Sequence, residues 1–212
     1  MAFSLKDELE SVAKDIKWNF KGILDTEGRL HEIPKNLNFQ ALFEKLVSER
    51  LGILTKKHKI TVIENRSIRS YPDVVLTGGE LGKKVIALDI KTGRRKNDRT
   101  AFTLGSYKKY LRNPAKPLCF GGKYCYQDFS EHWVVCFIYD WNSDADTLNM
   151  ISNIEVIVQE KWKIASKTTG TGTTTAIGSI NKIEDMRRGE GDFKTEDEFL
   201  IYWRAFSRRN EK

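Results

Sequence analysis

The 212-residue chain has little of what most small-site chemistry is built from. It has three cysteines, Cys119, Cys125 and Cys136, an odd number without a C-x-x-C pair. A disulfide framework and a zinc knuckle are both poorly served by that set, and a reducing, cytoplasmic setting fits it. Its three histidines, His31, His58 and His132, fall in a loop, at a helix end and at a strand edge, without metal-ligand spacing, and read as surface or structural residues. No apolar run exceeds the seven residues Trp133–Tyr139, far below the roughly 20 that a membrane span requires. Residues 1–20 mix charge with apolar side chains, so no secretory signal is expected. What the chain does have is a core-forming composition, 40% hydrophobic and 11% aromatic, which excludes disorder and low-complexity fibre. Its 36 basic residues exceed its 29 acidic ones for a formal charge of +7, a hint of a polyanionic partner that charge alone does not establish.

Periodicity places the elements. Ser4, with Asp7 three residues on, opens a helical pattern through Leu5, Leu9, Val12, Ala13, Ile16 and Phe20. A turn-rich stretch, 21–36, leads to a stronger helix whose stripe is Phe39, Leu42, Phe43, Leu46, Val47, Leu51 and Leu54. Glu44 lies at the edge of that stripe and on helix pattern alone is an ordinary boundary glutamate. Strands follow at 60–63, 73–77 and 85–92, the last two joined by a Gly78-Gly79…Gly82 connection of hairpin type. Residues 106–112 form a short helix and 113–130 a loop; 133–139 reads as a buried strand and 154–158 as another. Residues 168–175 contain only Thr and Gly, which by composition is a flexible loop. Thr195 and Glu198 cap a last helix with Phe199, Leu200, Trp203 and Phe206 on one stripe, where the aromatics serve the core. Cys136, within the apolar strand, is an inert core thiol. No repeat or linker divides the chain, so 1–212 is expected to form one α/β (α+β) domain.

The chemistry-bearing residues sit on the strands. Positions i and i+2 of a strand share a face, so Asp89 and Lys91 project together while Ile86, Leu88 and Ile90 enter a core on the other side. A hairpin would bring Asp73, after Pro72, to the same surface. Two carboxylates and a lysine suit metal-assisted phosphodiester hydrolysis: oxygen ligands favour a hard cation such as Mg²⁺, and the lysine stabilises developing negative charge. The triplet itself is uninformative. With 29 acids and 23 lysines, about three (D/E)-x-K triplets arise by chance, and three are present, at 15–17, 89–91 and 192–194. Only the strand context distinguishes Asp89-Ile90-Lys91.

The wider context is more specific. Ser70-Tyr71-Pro72-Asp73, then 86–92, then Phe102 to Tyr107 with Arg112-Asn113, resembles the EcoRV-type type II restriction endonucleases of the PD-(D/E)xK superfamily. The likeness resumes at 160–165, 170–175, 177–180, 196–200 and Tyr202-Trp203-Arg204, in the same order and at similar spacing. The resemblance implies a mixed central sheet flanked by helices, and a homodimer around double-stranded DNA. That dimer would cut both strands at a short palindrome, GATATC or a related sequence, leaving 5′-phosphates. It implies Asp73, Asp89, the Ile90 carbonyl and Glu44 around Mg²⁺ (or Mn²⁺), with Lys91 catalytic, which reverses the bland reading of Glu44.

The same resemblance makes Gly170, Thr171, Gly172, Thr173, Thr174 and Thr175 a recognition loop in the major groove, although the family has an asparagine where this chain has Thr173. Arg66, Ser67, Ile68 and Arg69 take the place of a glutamine-rich minor-groove loop and bring two arginines. Lys116, Thr103, Arg94 and Arg95 are expected near phosphates. The family continues for a few tens of residues past the Tyr-Trp-Arg block, and Arg208 and Arg209 are expected to replace part of that extension. A cognate DNA methyltransferase is implied as a functional partner. The rival readings are a repair or junction-cleaving nuclease of the same superfamily, against which the 170–175 block stands, and a catalytically silent DNA-binding protein, against which Asp73, Asp89 and Lys91 stand.

Overall fold

The computed structural model describes residues 3–65, 71–118, 122–170, 172–173 and 175–207. Helix α1 (Leu5–Ala13) starts where Ser4 Oγ accepts the Asp7 amide hydrogen, and buries Leu5, Leu9 and Val12. It stops at Ala13 instead of continuing toward Phe20. The three-to-four spacing persists because Ile16 and Trp18, in non-helical chain, still plug the core, so periodicity overran the helix end. The turn-rich stretch contains a miniature ribbon, β1 (Ile23–Leu24) paired with β2 (Leu30–His31). Helix α2 (Gln40–His58) then lays Phe43, Val47, Leu51 and Leu54 on the sheet, and ends at Lys59 in the left-handed conformation.

The main sheet has five strands in the order β3 (Thr61–Glu64), β4 (Val74–Thr77), β5 (Val85–Arg94), β7 (Glu131–Trp141) and β8 (Ile151–Glu160). The pairing of β5 with β7 is parallel and the others are antiparallel. The β4–β5 hairpin turns on Gly79, at φ +54°, where a Cβ would stand 2.1 Å from the His58 carbonyl oxygen, so a side chain there would collide with the end of α2. Both faces of the sheet are covered, and the alternation of the strands sorts side chains between two cores. Val74, Leu76, Ile86, Leu88, Ile90, Val135 and Phe137 face α1 and α2. Val75, Ala87, Val134, Cys136 and Ile157 face the other way, toward the second half of the chain. Phe43 shows the closeness of the first core, stacking on Phe137 with ring centres 4.8 Å apart.

The crossover between β5 and β7 holds β6 (Thr103–Ser106) and α3 (Tyr107–Tyr110), the latter capped by Ser106 Oγ. Strand β6 pairs with β10 (Ala176–Ser179), which pairs with β9 (Ala165–Thr169), giving a second, three-stranded sheet that the sequence pattern does not predict. Its strands are four or five residues long and interrupted by register shifts, too little for a period-2 signal. Helix α4 (Ile183–Arg188) is likewise unforeseen, whereas α5 (Glu196–Ala205) starts as expected, with Thr195 Oγ1 accepting from the Glu198 amide. Trp203 and Cys136 are fully buried, in keeping with their assignment to the core. His132, the second residue of β7, is buried as a structural residue and shares a 2.6 Å hydrogen bond with the Tyr71 hydroxyl. Among the described residues no helix is long and apolar enough to cross a membrane.

Candidate active site

Strand pairing alone nearly assembles the site. Val74 stands opposite Leu88 in the antiparallel β4–β5 pair, so the next position along brings Asp73 beside Asp89. Alternation then aims both away from the α1–α2 core. The contact is fixed through backbone: the Ile90 amide donates to Asp73 Oδ2 at 2.6 Å. On the other flank the Asn65 amide donates to the Asp73 carbonyl, and Asn65 Nδ2 donates to that of Pro72, both at 2.8 Å, pinning the chain as it enters β4. Lys91 Nζ donates to Asp89 Oδ1 at 2.8 Å and lies 3.4 Å from the Ile90 carbonyl oxygen. Asp73, Asp89, Lys91 and Glu44 all line one cleft of about 790 Å³. Glu44 enters it from α2, held by a 2.6 Å hydrogen bond from Gln40 Nε2.

Burial sets the electrostatics. Asp89 is 3% exposed, and its Oδ2 has no hydrogen-bond partner. Such an atom is costly unless something cationic or hydrogen-bonding comes to it. Desolvation pushes the Asp73 carboxyl well above the usual carboxylate range, and the neighbouring Asp89 charge adds to the rise while Lys91 opposes it. Burial works against the charge on Lys91, but Asp89, Asp73 and Glu44 outweigh it and hold the ammonium above the usual lysine range. Two crowded carboxylates, one with an unpartnered oxygen, fit a divalent cation. Among the described residues no group of three or more His, Cys, Asp and Glu side chains could hold a metal ion alone. A cation here would rest on the Asp73 and Asp89 carboxylates and complete its shell with other oxygens, water or phosphate, as hard cations do.

The other expected positions divide. Thr103 lines the cleft; Lys116 is exposed on a turn outside its lining. Arg94 and Arg95 are also absent from the lining: Arg94 lies over the Trp141 ring at 4.0 Å, and Arg95 binds Asp140 at 2.7 Å and Glu155 at 3.1 Å. Gly170, Gly172, Thr173 and Thr175 form the turn between β9 and β10. There Thr173 Oγ1 accepts from the Thr175 amide at 3.2 Å, and a Cβ on Gly170 would stand 2.5 Å from Thr103 Cγ2. Thr171, Thr174, Arg66, Ser67, Ile68, Arg69, Arg208 and Arg209 lie outside the described residues, although Asn65 and Tyr71, the described neighbours of the 66–70 segment, both line the cleft.

Sequence reasoning missed several cleft residues. Gln40, Ala41, Lys45 and Ser48 share with Glu44 one face of α2, at i, i+1, i+4, i+5 and i+8, a polar stripe that was available beside the apolar one. Lys109 and Ser106 join through β6 and α3; the short helix at 106–112 was expected, but not that it opens on the cleft.

The family model for restriction endonuclease EcoRV matches residues 14–212. The type II restriction enzyme EcoRV of Escherichia coli is 31% identical over 232 aligned positions, spanning 99% of this chain and 93% of that protein. Among solved structures, the NlaIV restriction endonuclease aligns with a TM-score of 0.47 at 14% identity, over 84% of this chain and 68% of its own. With its mixed sheet between helices and its Asp73, Asp89 and Lys91 in one cleft, the chain belongs to the EcoRV family of type II restriction endonucleases.

Proposed function

We propose that the protein is a Mg²⁺-dependent homodimeric endonuclease, with Mn²⁺ able to substitute, that cuts both strands of duplex DNA at a short palindrome and leaves 5′-phosphates. The observation that carries this is the buried Asp89 carboxylate, one oxygen held by Lys91 and the other unpartnered, beside Asp73 in an open cleft. Asp73, Asp89 and the Ile90 carbonyl would hold the cation, with Glu44 adding negative charge at its margin. When bound, the cation polarises a phosphoryl oxygen and lowers the pKa of a water. Lys91 then presents its ammonium to the charge that develops on phosphorus, from a position fixed by Asp89. Cleft residues Lys45 and Lys109 supply further positive charge toward the backbone of the substrate.

The β9–β10 turn is the proposed reader of bases. GATATC is the leading assignment, with Thr173 as the position at which the preference departs from it, since a threonine hydroxyl cannot make the bidentate adenine contact of an asparagine. Dimerisation is supported by the β1–β2 ribbon, whose Ile23, Leu24 and Leu30 are all more than half exposed, on strands too short to stand alone. A cytoplasmic setting and a cognate methyltransferase that protects the host genome follow from the activity. The direct test is digestion of plasmid DNA with Mg²⁺ by the wild type and by Lys91→Ala. Discrete fragments from the first, and unbroken plasmid still bound by the second, are expected. A smear would point to nonspecific cleavage, and intact plasmid under varied metal and salt to a protein that only binds.

A further inference from the structure

Beneath the cleft lies a buried lysine that the reaction above does not use. Lys161 sits in the single turn after β8 and is 2% exposed, one of the largest fully buried side chains. Its ammonium lies 4.3 Å from the centre of the Tyr71 ring and 5.4 Å from that of Tyr126. Burial pushes its pKa down from the usual lysine range to about 7, against the pull of the Asp89 and Glu196 carboxylates, while the two ring faces favour its charged form. A lysine buried against its own ionisation is a placement that packing alone does not require.

What Lys161 touches indicates the role. Tyr71 stands two residues before Asp73, and its hydroxyl is tied to His132 Nδ1 at 2.6 Å. Gly105, at φ +87°, passes above the ammonium so closely that a Cβ there would be 3.6 Å from Nζ. Tyr71, just before β4, and Gly105, within the β5–β7 crossover, both line the cleft. Two segments of the cleft wall thus rest on one buried lysine.

We propose that Lys161 is a positioning residue for the catalytic carboxylates: it clamps Tyr71 against Tyr126 beneath Gly105, and so sets where Asp73 stands beside Asp89. It acts through Tyr71 and does not meet the substrate. The inference rests on the nuclease reading, and the experiment separates the two. Wild type, Lys161→Met, Lys161→Arg, Tyr71→Leu and the Met/Leu double variant are compared in three measurements: thermal unfolding, single-turnover cleavage with saturating DNA and Mg²⁺, and calorimetric titration of the metal-free protein with Ca²⁺. Met matches the length of Lys without its charge, so the melting midpoint of Lys161→Met should hold or rise.

Its cleavage rate should fall about 10- to 100-fold, and its Ca²⁺ affinity should fall several-fold. That second sign is informative, because loss of a positive charge would by Coulomb's law alone tighten cation binding. Arg should restore most of the rate. Tyr71→Leu should match the loss, and the double variant should be no worse than the worse single one. The proposal is overturned if Lys161→Met cuts within twofold of wild type, if its Ca²⁺ binding is unchanged or tighter, if Arg restores nothing, or if the Met variant melts well below wild type, which would make Lys161 a support of the fold. A wild type that cuts no DNA removes the nuclease reading, and the Ca²⁺ comparison still judges Lys161.

Discussion

Burial and the neighbouring Asp89 both oppose the ionisation of Asp73. With its pKa raised in the folded state by burial and by Asp89, the protonated form favours folding below the ordinary carboxylate value, and that contribution is lost as pH rises through the raised one. The metal-free protein should therefore lose stability from about pH 4 upward, and a divalent cation should return more stability at higher pH. Asp73→Asn keeps an acceptor for the Ile90 amide and removes the charge. In EDTA near pH 8 it should melt higher than wild type, by about 2–4 °C for each kcal/mol relieved, with a flatter pH dependence and no cleavage. Calorimetric scans at several pH values check this; a variant as pH-sensitive as wild type contradicts it. At this scale the sequence was partly legible. Asp73, Asp89 and Lys91 follow from strand alternation and one hairpin. Glu44 was not readable from its helix pattern, because what matters is the cleft its neighbours build. Lys161 carried no signal, since Tyr71 lies 90 positions away and meets it only through tertiary packing.

Helix α2 is the element that joins stability to the site. Phe43 is fully buried and stacks on Phe137 and Tyr139, while the next residue, Glu44, faces the cleft. Phe43→Ala should cost about 3–5 kcal/mol by denaturant titration, with a loss of cleavage that persists under conditions where the variant is fully folded. A cost below about 1 kcal/mol would show the core repacking around the gap. At the start of α5, Thr195→Ala should cost about 1 kcal/mol through loss of the cap to Glu198. Long elements with a full period (α2, β5, β7 and β8) were readable, because many residues vote on one face. The β6–β10–β9 sheet was not: its strands are short, its register shifts, and its Gly and Thr residues suit a loop as well as a turn between strands. Helix α1 was read too long because a core contact can satisfy the helical spacing without a helix.

For the whole molecule, the charge of +7 becomes +14 in a dimer, and binding to DNA should weaken steeply with salt. The ribbon that would join the two copies is testable apart from catalysis. Leu24→Asp with Leu30→Asp should sediment as a monomer where wild type sediments as a dimer, and should nick one strand at a time if it cuts at all. A wild type that sediments as a monomer at micromolar concentration, alone and with DNA, contradicts that assembly. The scarcity of cysteine and histidine, which excluded zinc and thiol chemistry, leaves acids and lysines as the reactive set, and the cleft gathers them. Above all, this cleft should cut DNA at one short palindrome. Sequencing both ends of every fragment from a plasmid digest with Mg²⁺ tests it most directly. The account predicts a single symmetric sequence at every cut, with 5′-phosphates on both strands; ends without a shared sequence, or cuts confined to one strand, would contradict it.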